Sequence, residues 1–299
     1  MNNSLPQLTI ITPTYNRGEL LRACFRSLTA QTNKCFEWIV VDDGSIDNTK
    51  ETVAEIQSQK PDFSITYVCK ENGGKHTALN ASHPYIRGRY VLILDSDDTL
   101  TPDAVTEILT GWNLYADDPK VGVIRFARQT SDGRLCSYGK KEYLPVDMLR
   151  EHRIFAVSGD SCEVLRTELL KKYPFPVFDG ERFLAETALW NRVAREASCV
   201  YINKGIYVCE YLEGGLTKSG KKLQISNPRG GMYNSNLRMD SRCGIREQVK
   251  AGLLYCCYGF FSGMNIHEIL EKTEHSMIAG LSLLPGYVLY GYWKQRYYY

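Results

Sequence analysis

Apolar residues recur through the first hundred positions in short blocks, each closed by polar residues and followed by helical spacing. Leu8-Thr9-Ile10-Ile11-Thr12-Pro13 is apolar and β-branched and then halted by proline, which reads as a first strand. Leu20, Leu21, Cys24, Phe25 and Leu28 follow with the spacing of an amphipathic helix. Phe36–Val41 reads as a second strand, running into Asp42-Asp43-Gly44-Ser45. Asp47-Asn48-Thr49 supplies cap chemistry for a helix carrying Val53 and Ile56. Phe63–Val68 alternates as a third strand. Asn72-Gly73-Gly74-Lys75-His76 then turns into a helix with Ala78, Leu79 and Ala81. The fourth strand, Val91-Leu92-Ile93-Leu94, is a continuous apolar run of the kind buried on both faces. This alternation predicts an α/β fold, with a largely parallel sheet flanked by helices.

The fourth strand runs directly into Asp95-Ser96-Asp97-Asp98. An unpaired buried carboxylate is costly, so the acids belong where the strand leaves the sheet, the edge at which open α/β sheets bind ligands. Clustered acids repel unless a cation bridges them, and hard oxygen ligands suit Mg²⁺ or Mn²⁺ with a phosphate-bearing substrate. Turn and cap chemistry explains the same residues equally well in isolation. Three of the four strands, however, end in such polar clusters, which favours a site. Neither a Gly-x-Gly-x-x-Gly fingerprint nor a Gly-Lys-Ser/Thr phosphate loop is present.

Bulk properties change this picture little. The 299 residues suffice for one large domain or two smaller ones, and 43% hydrophobic with 23% charged residues is ordinary for a folded protein. The net charge of +2 is unevenly spread, with eleven Lys/Arg against five Asp/Glu from Gly215 onward. That basic tail suits an anionic surface or phosphate. The ten cysteines form no Cys-x-x-Cys pair, so no zinc site and reduced thiols are expected. The start shows no signal-peptide pattern, and no apolar run is long enough to span a bilayer.

Four segments together, in order, carry a resemblance. They are Ile11-Thr12-Pro13-Thr14-Tyr15-Asn16-Arg17, Val40-Val41-Asp42-Asp43-Gly44-Ser45 with Asp47 and Thr49, Asn72-Gly73-Gly74-Lys75, and Leu94-Asp95-Ser96-Asp97-Asp98. They closely resemble the nucleotide-sugar half of a family-2 glycosyltransferase of the GT-A fold, similar to transferases of bacterial polysaccharide, O-antigen and capsule synthesis. The resemblance covers roughly the first hundred residues. It implies a Rossmann-like, mostly parallel sheet with a helical C-terminal extension. The implied division is a catalytic domain over 1–215, with 1–110 taking the donor and 111–215 the acceptor, and a basic extension over 216–299.

The resemblance also implies roles. The DXD pattern makes Asp97 a metal ligand with Asp95 beside it, Asp95 and Ser96 also facing the donor, under Mn²⁺ or Mg²⁺. Asp42 and Asp43, with Thr12, Pro13, Thr14, Tyr15 and Asn16, read base and ribose, and Lys75 stands near the diphosphate. An inverting transfer needs a base for the acceptor hydroxyl. Glu186 falls on the family position, although Thr187 stands where the family usually has Asp; Asp179 and Glu181 are rivals. His76 is read as structural.

Farther on, Val121–Phe126 and Ile154–Asp160 read as further strand pieces, with Asp160 a cap or a sugar contact. Tyr201–Asn203 and Ile206–Tyr211 read as a hairpin around Lys204-Gly205. Gly214-Gly215-Leu216-Thr217-Lys218 resembles a flexible loop after the core, with Lys218, Lys221 or Lys222 as solvated charges or diphosphate contacts. The apolar run Met277–Tyr290 is broken by Pro285-Gly286 and flanked by aromatics and cations, which suits a membrane interface, a homodimer contact or plain packing. The Gln-x-x-Arg-Trp motif and membrane spans of processive synthases are missing from this sequence, so a single sugar is expected per acceptor.

The expected activity is therefore that of an inverting, metal-dependent hexosyltransferase using a UDP-sugar and a glycan or lipid-diphosphate acceptor. Its expected location is cytoplasmic, peripheral on the inner face of the plasma membrane, with no nucleic-acid partner. A nucleotidyltransferase would show a Gly-rich loop after the first strand, and a disabled sugar-nucleotide-binding protein would lack intact Asp95, Asp97 and Glu186.

Overall fold

The computed structural model describes residues 5–137, 139, 142–149, 161–209 and 216–297. Contacts divide the chain into two compact units, Met1–Pro174 with Glu196–Tyr211, and Phe175–Arg195 with Leu212–Tyr299. The segment Phe175–Arg195, expected in the acceptor-side half, thus clusters with the C-terminal helices.

The first unit is built on one sheet. Its strands are β1 (Leu8–Thr14), β2 (Phe36–Asp42), β3 (Ser64–Cys69), β4 (Tyr90–Ile93), β5 (Thr99–Leu100), β6 (Val121–Gln129), β7 (Val146–Asp147), β8 (Ser161–Arg166) and β9 (Ser198–Val208). The order is β3-β2-β1-β4-β8-β6-β9-β5, with β7 also on β9. Neighbours among β3, β2, β1 and β4 are parallel, as the alternating pattern requires. β8 then runs antiparallel to both β4 and β6. β1, β2 and β4 are buried throughout, which is why they read as largely apolar blocks, whereas β3 lies on the edge and is partly exposed.

Helices α1 (Gly18–Thr29), α2 (Thr49–Ser58), α3 (Lys75–Ser82) and α4 (Ala104–Leu114) fill the crossovers, and α5 (Thr167–Lys172) follows β8. Helix α1 buries Leu21, Cys24, Phe25 and Leu28 and leaves Leu20 at the surface. Phe25 stacks on Trp38, whose indole N–H donates to Thr12 Oγ1 at 2.9 Å. Trp38 is fully buried, and truncating such a residue to Ala costs roughly 3–5 kcal/mol. Asp47 accepts from the N–H groups of Thr49 and Gly18, joining the starts of α2 and α1.

One expectation needs correction here. Tyr201–Tyr211 is not a hairpin: β9 runs through Lys204-Gly205 as one strand, parallel to β6. The ladder shifts register at Ala127↔Gly205 instead, and a Cβ on Gly205 would lie 2.2 Å from the Gln129 side chain. A glycine so placed marks a bulge as readily as a turn. Ile154–Asp160 and Glu210–Gly215 lie outside the described residues, and the described strand of that region is β8.

The second unit is helical: α6 (Thr187–Val193), α7 (Leu216–Ile225, bent at Gly220), α8 (Pro228–Arg238), α9 (Ile245–Phe261), α10 (Ile266–Glu271) and α11 (Ser276–Tyr297). Its core gathers Met232, Tyr255, Cys256, Tyr258, Ile269, Ala279 and Trp293. The expected break at Pro285-Gly286 does not occur, because α11 continues through Pro285. Proline frees the carbonyl four residues earlier, Leu281, and both residues lie on the exposed side, where water can take that bond.

Candidate functional site

The register of the parallel strands brings three polar strand ends to one edge. Thr14 pairs with Asp42 and Asp42 with Cys69, while Leu94 N–H donates to Ile11 on the other side of β1. The Asp42-Asp43 pair and the Asp95–Asp98 turn thus flank the end of β1.

Asp43 is nearly buried, and both its oxygens are engaged. Oδ1 accepts from Lys70 Nζ at 2.7 Å and Gly73 N–H at 3.0 Å, and Oδ2 from Gly74 N–H at 2.6 Å. These charge-assisted bonds offset its burial and fold the Asn72–Gly74 loop around it. Asp42 accepts from Ser45 N–H at 2.8 Å and from Tyr67 OH at 2.6 Å. Burial first, then the bond to Asp42, pushes the Tyr67 phenol well above its ordinary range, so it stays a donor. Between them, Gly44 has φ +81°, and a Cβ there would meet Asn72 N at 2.9 Å.

The loop after β1 is tied to the same edge. Asn16, at φ +52°, donates its N–H to Ser45 Oγ and accepts from Ile46 N–H, both at 2.8 Å. Tyr15 is exposed. Pro13 is buried within β1. Thr12 has its hydroxyl committed to Trp38 in the core, so only its backbone faces the edge. Thr14 is buried with its Oγ1 unpartnered among the described residues, an orphaned polar atom that a ligand would satisfy.

At the acids, each carboxylate meets a cation. Lys75 Nζ donates to Asp95 Oδ1, and Arg17 Nη1 lies 3.0 Å from Asp97 Oδ1 and 3.4 Å from Ser96 Oγ. Burial opposes ionisation of Asp95, but Lys75, with Arg128 and Arg17, outweighs it and holds the carboxyl below its ordinary range. Asp98 is the opposite case. Burial, with repulsion from Asp95 and Asp97, pushes it up to about 6, although Tyr207 and Arg128 act against this. Tyr207 OH accepts from Asp95 N–H at 3.0 Å, and the Arg128 guanidinium sits 4.3 Å over the Tyr207 ring and 4.0 Å from Asp98.

Arg17, Lys70, Tyr67, Arg128 and Tyr207 were assigned no role from the sequence. Arg17 stood inside a quoted segment and carried a usable signal. Arg128 and Tyr207 arrive from β6 and β9, Tyr207 lying 112 positions from Asp95, with no local pattern to mark them.

Among the described residues no three His, Cys, Asp or Glu side chains are grouped to hold a metal. Asp95 and Asp97 nonetheless fit one. Both are hard oxygen donors, part exposed, on one turn, and Mg²⁺-like ions are commonly held by one or two carboxylates with substrate phosphates completing the shell.

The remaining candidates lie in the second unit. Glu186 stands at the start of α6, its carbonyl accepting from Leu189 N–H, while Ala188, Leu189 and Val193 bury the helix. Glu181 is committed elsewhere: its carboxylate accepts from Arg229 N–H at 2.7 Å and Gly230 N–H at 2.9 Å, capping α8. Asp179 offers its carbonyl to Arg229. Thr187, where the family usually has Asp, accepts from Asn234 Nδ2 at 2.7 Å. Lys221 is not a simple solvated charge, for its Nζ lies 4.8 Å over the Trp293 ring. The Lys218 side chain lies outside the described ones. His76 is buried with Nδ1 unpartnered among the described residues, and burial lowers its pKa.

The family described as Glycosyl transferase family 2 matches residues 9–173. Glycosyltransferase GlyA of Streptococcus pneumoniae is 29% identical over 226 residues, 71% of this chain but 32% of that protein, so the match spans about a third of that relative. The GalNAc(5)-diNAcBac-PP-undecaprenol beta-1,3-glucosyltransferase of Campylobacter jejuni is 29% identical over 213 residues, covering 68% of this chain and 64% of that one. Residues 1–349 of TarS from S. aureus, solved with UDP-GlcNAc, superpose with a TM-score of 0.61 at 17% identity, covering 94% of this chain and 79% of that one. The likeness to TarS is one of fold, and that fold is GT-A with a helical C-terminal region, as the sequence implied.

Proposed function

The chain belongs to glycosyl transferase family 2, and from that premise we propose that it transfers a single sugar, with inversion, from a UDP-sugar to a glycan or lipid-diphosphate acceptor in bacterial surface polysaccharide synthesis. The observation that carries the donor half is the common edge on which Thr14, Asp42–Asp43 and Asp95–Asp97 meet. In this reading Asp42 and Asp43 recognise base and ribose, aided by the backbone at Thr12 and the Thr14 hydroxyl, with Asn16 and Pro13 shaping the loop. Asp97, with Asp95, would hold Mn²⁺ or Mg²⁺ together with the donor diphosphate. When bound, the ion neutralises charge that builds on the leaving diphosphate.

Arg17 and Lys75, which balance the acids, are then positioned to meet phosphate oxygens. Glu186 accepts the proton of the acceptor hydroxyl as that oxygen bonds to the anomeric carbon. The bond to the diphosphate breaks with its electron pair leaving on the diphosphate. Glu181 is the weaker rival, because its carboxylate already caps a helix. The lipid-diphosphate reading draws support from the name of the Campylobacter relative.

A peripheral site on the inner face of the plasma membrane belongs to the same proposal. No described helix is long and apolar enough to cross a membrane. Helix α11 nevertheless exposes Met277, Leu281, Leu284, Val288 and Tyr292 on one side and ends in Lys294 and Arg296, a composition suited to anionic lipid. Sedimentation with anionic vesicles tests this contact, and a stable dimer that ignores vesicles would assign the face to a second copy instead.

Thermal shift with UDP-, GDP- and TDP-sugars, with and without Mn²⁺, tests the transferase reading. Metal-dependent stabilisation by a UDP-sugar is the expected result. No sugar nucleotide stabilising the protein under either condition would overturn it.

A further inference from the structure

The second unit contains a cavity of about 200 Å³ between α7, α8 and α9. Its wall carries Lys221 from α7, Arg238 from α8 and Lys250 from α9, with Glu247 as the acid. Arg238 Nη2 donates to Glu247 Oε2, so those two neutralise each other. Lys221 and Lys250 remain, and among the described residues neither has a carboxylate within ion-pairing distance. The wall is therefore positive by two charges.

The amides around the cavity decide what chemistry it can accept. Asn227 Oδ1 takes the N–H groups of Arg182 and Phe183, and its Nδ2 donates to the Leu223 carbonyl. Asn234 bridges Asn191 and Thr187. Gln224 Oε1 accepts from Tyr258 OH at 2.9 Å and from Lys221 Nζ at 3.4 Å. The Ser235 hydroxyl likewise donates to the Gly231 carbonyl. Much of the polar lining is thus spent on the fold, and the unneutralised charge facing the cavity is that of two ammonium donors, Lys221 held only by Gln224 and the Trp293 ring. A polyol needs acceptors as well as donors, whereas a phosphate needs only donors and positive charge, which lysine supplies as a point charge.

We propose that this cavity is a phosphate or diphosphate site, with Lys221 and Lys250 as its ligand-binding residues. The site lies wholly within the helical unit. Burial first, and then repulsion from Lys250, lowers the Lys221 pKa. An anion between the two ammonium groups relieves that repulsion and returns Lys221 toward its ordinary range. The ligand has two sources, a soluble phosphate or the diphosphate headgroup of a lipid-carried acceptor.

Titration calorimetry of the whole protein with inorganic pyrophosphate tests the site, and titration with UDP reads the donor edge separately. Pyrophosphate is expected to bind, roughly tenfold or more weakly to Lys221→Gln and to Lys250→Gln, while Lys250→Arg retains binding. Lys50→Gln, at an exposed position of α2, controls for general charge and should leave binding unchanged. Both glutamine variants replace surface-facing side chains, and their melting temperatures confirm the fold. UDP affinity should be the same in wild type and Lys250→Gln.

Neutral vesicles with and without a polyprenyl diphosphate distinguish the sources. Lysine-dependent retention only on the diphosphate vesicles assigns a lipid headgroup, and equal retention on both assigns a soluble phosphate. Absence of pyrophosphate binding, binding indifferent to both lysines, or one-for-one displacement of pyrophosphate by UDP would overturn the proposal. The donor reading stands or falls on the UDP titration alone.

Discussion

Arg17 reaches from the loop after β1 to Asp97 after β4, an ion pair of 3.0 Å between the ends of adjacent parallel strands. The proposed metal ligand is therefore held by a guanidinium that a metal must displace. The pair is partly exposed, so it contributes at most about 1 kcal/mol. Arg17→Ala should raise the Mn²⁺ affinity of the nucleotide-free protein by about two- to fivefold while lowering kcat/KM for the donor. Calorimetric Mn²⁺ titration checks the first and initial rates the second; unaltered Mn²⁺ affinity would detach Asp97 from the metal.

Asp97→Ala should reduce transfer by roughly a hundredfold or more, because charge on the leaving diphosphate would lose its counter-ion. The side chain is part exposed, so the melting temperature should stay within the range of ordinary surface changes. Turnover close to that of the unaltered enzyme would remove the metal role.

Glu181 and Glu186 separate by what each substitution damages. Glu181→Ala uncaps α8 and should cost about 1 kcal/mol of stability with kcat little changed. Glu186→Gln should lower kcat by roughly 10²–10⁴. The reverse pattern, seen in urea melts and initial rates, would hand the base role to Glu181.

Lys70 holds a buried carboxylate, Asp43, together with the loop that starts α3. Lys70→Met leaves that charge short of a partner and should destabilise the protein by about 2–3 kcal/mol, since the lysine is only partly buried. UDP affinity should fall with it, as the loop at Gly73-Gly74 loses its anchor. Chemical denaturation and UDP titration report the two effects.

His76 and His83 are both held neutral, burial lowering each below its ordinary 6.5, with Lys70 also acting against His76 and Lys171 against His83. The unfolded chain then binds more protons than the native one below about pH 6.5, so stability falls as pH drops through that window and is level above it. Urea midpoints at pH 5.5 and 7.5 should show this difference. It should shrink in the His76→Gln/His83→Gln double variant, and an undiminished difference would assign the effect to other groups.

The first four strands were legible because their signals are local. β1, β2 and β4 are buried on both faces and read as largely apolar blocks, and the acids after β2 and β4 sit in the same short segments. Asp42, Asp43, Asp95 and Asp97 could be grouped from their motifs taken together, and the strand order then brings them to one edge. Arg128 and Tyr207 could not, since their meeting with Asp98 and Asp95 depends on how β6 and β9 join the sheet. The capping work of Glu181 is likewise tertiary, a bond across forty-eight positions. Lys204-Gly205 misled in the other direction: turn-forming residues marked a bulge, because pairing with β6 continues on both sides. Pro285 misled for a similar reason, as an exposed helix flank tolerates what a buried one does not.

The sheet changes sense at β4, the strand whose exit carries the acids, and the junction with β8 is held by only three register pairs. So narrow a seam confines the reach of a change in β8, which need not propagate through a long ladder into Thr14, Asp42 or Asp43. Changes in β6 and β9 travel by another route, through the side chains of Arg128 and Tyr207 to the turn at Asp95–Asp98. The acids thus answer to the far strands through two side chains rather than through the backbone ladder.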